Sequence, residues 1–210
     1  MIAQPTPRVL LTAAVTLLAS FASAQRMIAV DSARTLYQID LVTGAKSAFG
    51  QVSANAGTAA ALAYDATAGV TYLSSTSTDS LYTVDLTTGA ATLVGPYGDP
   101  AIVMHGLEFD SRNGRLFGAS QHNGGFYEID RTTGTATLIA ASGLGSSTNL
   151  GYDSVSDTMY ATNGFGDNLY VVDRSTGSFT LRGSLAGPGN PNALLHAARQ
   201  LTGKRVFKTL

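Results

Sequence analysis

The sequence predicts an all-β fold built from copies of one small antiparallel unit, and three observations carry that expectation. A nine-residue segment recurs four times: LYQIDLVTG at 36–44, LYTVDLTTG at 81–89, FYEIDRTTG at 126–134 and LYVVDRSTG at 169–177. Its aspartates, Asp40, Asp85, Asp130 and Asp173, lie 45, 45 and 43 residues apart, which is the spacing of a structural repeat. The composition, with 23 glycines and only 13% charged residues, favours short strands and many turns.

Each copy reads as a hairpin. Four or five residues rich in Tyr, Val and Ile form a strand, the D-x-x-TG corner turns the chain, and a second short strand such as ATLVG at 91–95 follows. The Asp carboxylate accepts hydrogen bonds from the next backbone N–H groups, and the Gly supplies the positive φ that such a loop requires.

A second pattern precedes three of the copies: LAYD at 62–65, LEFD at 107–110 and LGYD at 150–153. Seven residues after each Asp stands an aromatic (Tyr72, Phe117 and Tyr160), ten residues before Tyr82, Tyr127 and Tyr170. One unit therefore holds four strands, a to d. Four short strands in about 45 residues is the arithmetic of a β-propeller blade. A lone sheet of this kind cannot cover both its apolar faces, so the blades must pack on one another.

The ends complete the expected architecture. Counting ten back from Tyr37 gives Met27, so residues 27–30 are strand b of the first blade and its strand a is missing. Ala197 falls about 20 residues after Gly177, where the other repeats have their strand-a Asp. The expectation is thus a four-blade ring whose first blade is closed by the C-terminal strand ALLH at 193–196, leaving no open edge between first and last blade. The alternative is a fragment of a larger propeller.

Three segments follow. Residues 1–24 carry one positive charge, an apolar run of about 14 residues and an A-x-A signature at Ala22, Ser23 and Ala24, the order of a signal peptide cut before Gln25. That run is shorter than the roughly 20 residues of a membrane-spanning helix. Residues 25–198 form the propeller domain. Residues 199–210, with four basic side chains, form a tail outside the repeats. Export without a single cysteine points to a secreted or periplasmic bacterial protein. A net charge of −1 gives no electrostatic footprint for nucleic acid, and after signal cleavage no membrane span is expected.

At these repeats the chain resembles exported bacterial propellers of the YVTN and PQQ-like type, especially those with LYxID-x-x-TG repeats. The resemblance covers about residues 27–195 and implies the fold, with little about activity. Quinoproteins share a similar corner but carry docking tryptophans. This chain has none, so no quinone or other cofactor is expected.

The repeated carboxylates recur once per blade, so they are read as turn stabilisers spread around the ring, and no metal site is expected. Candidate ligand contacts lie where the repeats differ. Strand a is innermost, so the residues just before its Leu (Ala60, His105, Thr148 and Asn192) approach the axis, with Asn149 beside Thr148. His122 and Asn123 lie in the irregular b–c turn of the third blade. No catalytic residues converge, and none of the phosphate-loop, HExxH, GxSxG or calcium-loop signatures is present. The expected function is an exported, non-catalytic binding scaffold, monomeric, for a protein, glycan or small molecule. The alternatives are a metal-assisted hydrolase or lyase with its site at the channel mouth, and a truncated fragment without function.

Overall fold

A computed structural model describes residues 27–144, 148–164 and 166–185. Blade one holds β1 (Met27–Val30), β2 (Thr35–Ile39) and β3 (Lys46–Gln51). One turn of 3-10 helix, Ala54–Ala56, leads to blade two: β4 (Ala59–Asp65), β5 (Val70–Ser75), β6 (Ser80–Val84) and β7 (Ala91–Pro96). Blade three is β8 (Met104–Asp110), β9 (Arg115–Ser120), β10 (Gly125–Ile129) and β11 (Ala136–Ala141). Blade four is β12 (Thr148–Asp153), β13 (Thr158–Asn163), β14 (Asn168–Val172) and β15 (Phe179–Ser184).

Every blade is an antiparallel sheet with its strands in chain order. The inner strands pack in succession, β1 on β4, β4 on β8 and β8 on β12. The protein is therefore all-β, four blades of a β-propeller, with three described strands in the first. The strand expected at 193–196, the segment 1–24 and the tail 199–210 lie outside the described residues. No helix among the described residues is long and apolar enough to cross a membrane.

Alternation along each strand gives every blade two apolar faces. In blade two, Leu62, Leu73, Tyr82 and Val84 face blade one, where Ile28, Val30 and Leu36 receive them. Its opposite face offers Ala61, Ala63, Tyr72 and Leu81 to Leu107, Phe109, Leu116, Tyr127 and Ile129 of blade three. Phe117 and Phe126 repeat the arrangement against Leu150, Tyr152, Met159 and Val172 of blade four. Phe117 and Phe126 stack within their sheet at 5.4 Å between centroids, and Phe179 of blade four meets Phe126 edge-on at 5.6 Å. Burying each such Leu or aromatic side chain contributes roughly 1.5–3 kcal/mol.

The pairing corrects one detail of the count. Tyr72 pairs with Thr83 and Phe117 with Glu128, and the residue at that register in blade one is Ile28, opposite Gln38. Met27 lies on the other face. The b–c turn of blade one is one residue shorter than that of blade two, so counting back from Tyr37 overshoots by one.

The corners form as expected. Asp85 Oδ1 accepts from the backbone N–H groups of Thr87 at 2.7 Å and Thr88 at 3.3 Å, and the Gly89 N–H donates to the Asp85 carbonyl. Asp40, Asp130 and Asp173 bond their corners the same way. The corner glycine also does something the sequence did not disclose. A Cβ on Gly134 would stand 2.3 Å from the Gly95 carbonyl oxygen of the preceding blade, and one on Gly89 would stand 2.0 Å from that of Gln51. Each of these corners is pressed against the neighbouring blade's outer strand.

That double constraint sets a test. Gly134→Ala meets both a φ of 80° and the Gly95 backbone, whereas Gly69→Ala, in the a–b turn of blade two, meets only a φ of 68° with nothing within 4 Å. Urea unfolding should show a loss of about 1 kcal/mol for Gly69→Ala and of about 3 kcal/mol or more for Gly134→Ala. Equal losses would remove blade docking as a reason for the corner glycine.

Candidate functional site

Each blade has two ends. At one end lie the a–b turns and the D-x-x-TG corners. At the other the chain enters strand a and the b–c turns reverse it.

His105 is at the strand-entry end. The β8–β9 pairing shifts between Met104 and Gly106, which makes His105 the extra residue of a β-bulge, and Ala60 holds the same place in β4. A bulge takes its residue out of the ladder and re-aims the side chain, a device common beside functional sites. His105 is half-buried, and it lies where two inner strands touch: a Cβ on Gly106 would stand 2.6 Å from the Thr148 carbonyl oxygen.

Blade four lacks this bulge. Thr148 pairs with Asn163 and Asn149 with Thr162, so Thr148 stands level with Met104 and not, as equal counting implied, with His105. The missing bulge is one of the two residues by which the last repeat is shorter. Thr148 and Asn149 are enclosed, at 1% and 4% exposure. Across from them, Thr162 Oγ1 and Asn163 Oδ1 are buried with no hydrogen-bond partner among the described residues. His122 is exposed on its turn. Asn123 is engaged in its own hairpin: its Nδ2 donates to the Tyr127 hydroxyl at 2.7 Å, and its Oδ1 accepts from the Gly125 N–H at 3.0 Å. Asn192 lies outside the described residues. The fold thus brings His105, Thr148 and Asn149 onto adjoining inner strands and leaves His122 and Asn123 on a separate turn at the same end.

The corner end holds charge that sequence reasoning passed over. Arg174 Nη1 pairs with Asp110 of blade three, and its Nη2 donates to Asp157 Oδ1 at 2.8 Å. One blade earlier, Arg131 Nη1 donates to Asp65 Oδ2 of blade two at 3.1 Å. Arg115 joins Glu128 within blade three, its Nε donating at 2.8 Å. The guanidinium groups lie over aromatic faces, Arg174 on Tyr152 at 5.1 Å and Arg131 on Phe109 at 5.4 Å. The signal was present in the sequence: the residue after the corner Asp is Leu in the first two repeats and Arg in the last two. A groove of about 380 Å³ between blades three and four is lined by Asp110, Asn113, Arg115, Asp157 and Arg174.

The electrostatics at this end keep acids ionised. Hydrogen bonds from Tyr152 and Arg174 hold the Asp157 carboxyl below the usual range, and Arg115 does the same for Glu128. The Ser175 hydroxyl and the backbone N–H groups of Ser175 and Thr176 bring Asp173 down to about 2. Burial, and then the hydrogen bond to Asp157, pushes the Tyr152 hydroxyl up. Among the described residues no group of three His, Asp or Glu side chains is placed to hold a metal ion.

Repeated four-stranded blades held together by corner turns define a β-propeller repeat protein. The chain belongs to the family described as a repeat of unknown function, DUF6923, whose profile matches residues 14–153. No curated protein matches it. Among solved structures it is similar to an auxiliary nutrient binding protein from Bacteroides ovatus, with 19% identity and a TM-score of 0.55 over 76% of this chain and 39% of that one. It is also similar to a protein of unknown function from Bacteroides thetaiotaomicron, with 16% identity and a TM-score of 0.51 over 74% of this chain and 42% of that one. A catalytically inactive virginiamycin B lyase from Staphylococcus aureus, crystallised with quinupristin, gives 13% identity and a TM-score of 0.51 over 77% of this chain and 56% of that one. The chain spans about half or less of the length of these three. At such identities the likeness shows the fold.

Two measurements probe the corner end. Removing Arg174 leaves Asp110, which is 1% exposed, with its hydrogen bonds from Arg112 and Asn113 but without its paired cation, so Arg174→Met should cost about 3 kcal/mol in urea unfolding. Arg112→Ala should show no measurable change, because its contact to Asp157 is 3.8 Å long with the arginine side chain 54% exposed. A loss for Arg112→Ala as large as that for Arg174→Met would contradict this assignment.

The corner aspartates predict the acid limb of stability. Asp40, Asp85, Asp130 and Asp173 are all lowered in the folded state by bonds to their own corners. A lowered folded pKa contributes stability that is complete above the unfolded value of about 4 and is lost as pH falls through the folded value. The urea midpoint should hold from pH 7 to about 5 and fall as the pH drops from about 4 to 2, with a shallower fall in Asp173→Asn.

Proposed function

We propose that the protein is an exported, non-catalytic binding module whose ligand contacts lie at the strand-entry end of the propeller. One observation carries this reading: the c–d corners of the four repeats share one motif, while the b–c turns at the entry end differ. The corners are DLVTG, DLTTG, DRTTG and DRSTG, and their carboxylates are engaged in turn bonds. The b–c turns at the other end have four unrelated sequences, and His105 rises from a bulge beside them. Repeat positions that build the fold stay alike, while positions that meet a ligand are released to differ. His105 and His122 stand at this end with Asp31, Arg34, Asp79, Asp99 and Asp167, a polar surface rich in hydrogen-bonding groups, and Thr148 and Asn149 lie enclosed beneath it. It suits a polar ligand such as a glycan or a peptide segment. Residues 1–24 would direct export to the periplasm or the medium.

Expression of the full chain in a bacterial host should yield a mature protein beginning at Gln25 by N-terminal sequencing. The mature protein, screened by thermal melting against neutral oligosaccharides and unstructured peptides, should give a hit that His105→Ala weakens about tenfold and Asp173→Asn leaves unchanged. A hit with the reverse sensitivity would move the site to the corner end and sink this reading. Calcium and magnesium should leave the melting temperature unmoved. A shift of several degrees would favour the metal-assisted enzyme instead.

A further inference from the structure

The three blade-to-blade interfaces are built alike, and each needs two different faces. The receiving face carries the strand-b aromatic and the Leu or Phe of strand c, as in Tyr72 with Leu81 or Phe117 with Phe126. The docking face carries the Tyr of strand c, as in Tyr82 or Tyr127, with Val84 or Ile129 beside it. The corner glycine of the docking blade presses on the outer strand of the receiving blade. The residue after the corner Asp reaches back toward the preceding blade: Arg131 and Arg174 pair with its a–b turn, and Leu86 packs into the core between blades one and two.

The first and last blades present one half of this interface each. Tyr82 and Tyr127 are 4% and 5% exposed, while Tyr37 at the same position of blade one is half-buried, as is Ile39 beside it. Gly89, Gly134 and Gly177 are buried. Gly44, the blade-one equivalent, is exposed, with nothing within 4 Å of its Cβ position. On blade four the receiving residues Leu169 and Val171 are half-buried where Leu81 and Phe126 are fully enclosed. Gly183 in β15, level with the Gly95 that meets the corner of blade three, also has nothing within 4 Å.

Both faces carry exposed apolar side chains at their corner-end edges. Leu41 and Val42 follow the blade-one corner Asp and are 50% and 94% exposed. Val155, in the a–b turn of blade four that such a corner residue would reach, is 66% exposed. Blade four keeps Asp153 at the register where blades two and three offer Asp65 and Asp110 to an arginine, and Val155 stands exposed two residues further along the same turn. Among the described residues a docking face and its receiving face are both left uncovered, and such a pair of apolar faces is an association surface.

We propose that two copies of this chain associate head to tail, blade one of each docking on blade four of the other. The occupant of each free face is then the same surface that covers its equivalents three times within the chain. Two copies give two equivalent heterologous contacts that close on themselves, and eight blades lie within the range of known propellers. Without Arg8 the mature chain carries a net charge of −2, which opposes the association little. The monomer expected from the sequence is the alternative outcome of the test.

The test is the mass of the mature chain, residues 25–210, by gel filtration with light scattering between 1 and 100 µM on the order-of-magnitude scale of weak to firm dimers. A dimer is expected. Leu41→Asp with Val42→Asp alters only exposed side chains and should weaken dimerisation on the order of a hundredfold, with an unchanged circular dichroism spectrum. Val155→Asp with Val171→Asp should do the same from the opposite face. Mixing the two variants should restore one heterodimer interface, since each retains the face the other has lost. A wild-type monomer at every concentration overturns the proposal. So does a dimer that neither variant weakens, or a pair of variants that fail to complement each other.

Discussion

A four-stranded antiparallel sheet with large apolar residues on both faces of its middle strands has no face to give to water there, and the rest of this structure depends on that constraint. In blade two, Leu62, Leu73 and Tyr82 point one way and Tyr72 and Leu81 the other, and all five are buried. No single blade can bury both sets. The inner strands, which crowd toward one another, therefore carry small residues such as Ala59, Ala61, Ala63 and Gly106. The large side chains sit further out, on strands b and c, where the blades diverge and volume must be filled. Size grades along the blade because the space between blades does.

The corner turn serves this packing as well as the hairpin. Its Asp satisfies backbone N–H groups that would otherwise need water, which lets the corner lie close against another sheet. Its Gly permits both the positive φ and the approach of a carbonyl oxygen. In the last two repeats the next residue is an arginine that crosses the interface to a carboxylate and lies over an aromatic ring of its own blade. One five-residue motif thus sets hairpin register, blade spacing and, through Arg131 and Arg174, the angular position of the neighbour. Spending so many polar groups on assembly is why the ionisable side chains at this end are poor candidates for chemistry: their partners hold them charged and fixed.

The periodic parts of this arrangement were legible in the sequence. The repeat, the four strands of each unit and the Asp–Gly corners are local, and a pattern of period two with fixed turn residues declares them. Two kinds of feature escaped. Ile28 and Thr148 were misaligned by one residue because a shortened turn and an absent bulge are invisible to counting, although the last repeat's shorter spacing was the trace of the absent bulge. The Arg174–Asp110 and Arg131–Asp65 pairs join residues more than sixty positions apart, and only the stacking of blades makes them neighbours. The candidate site was half legible for the same reason. His105 broke the repeat pattern and proved to be the bulged residue, whereas the enclosure of Thr148 and Asn149 follows from what packs against blade four.

Stability in such an array is close to a sum of blade terms and nearest-neighbour interface terms, so its ends differ physically from its middle. Blades two and three each gain from two neighbours; among the described residues blades one and four each gain from one. The outer positions record this: β3 is exposed along its whole length, and every residue of β14 except Val172 is half-buried, while β6 and β10 keep only one residue short of burial. Local opening should then begin at blades one and four, and whatever covers their free faces stabilises the chain as a ligand does, by adding interface that the open form lacks. The entry end adjoins this packing. His105 sits on the inner strand of blade three, and its neighbour Gly106 lies close against the Thr148 carbonyl of blade four. The inner strands of blades three and four are in this way one packed element, and the bulge lies within it.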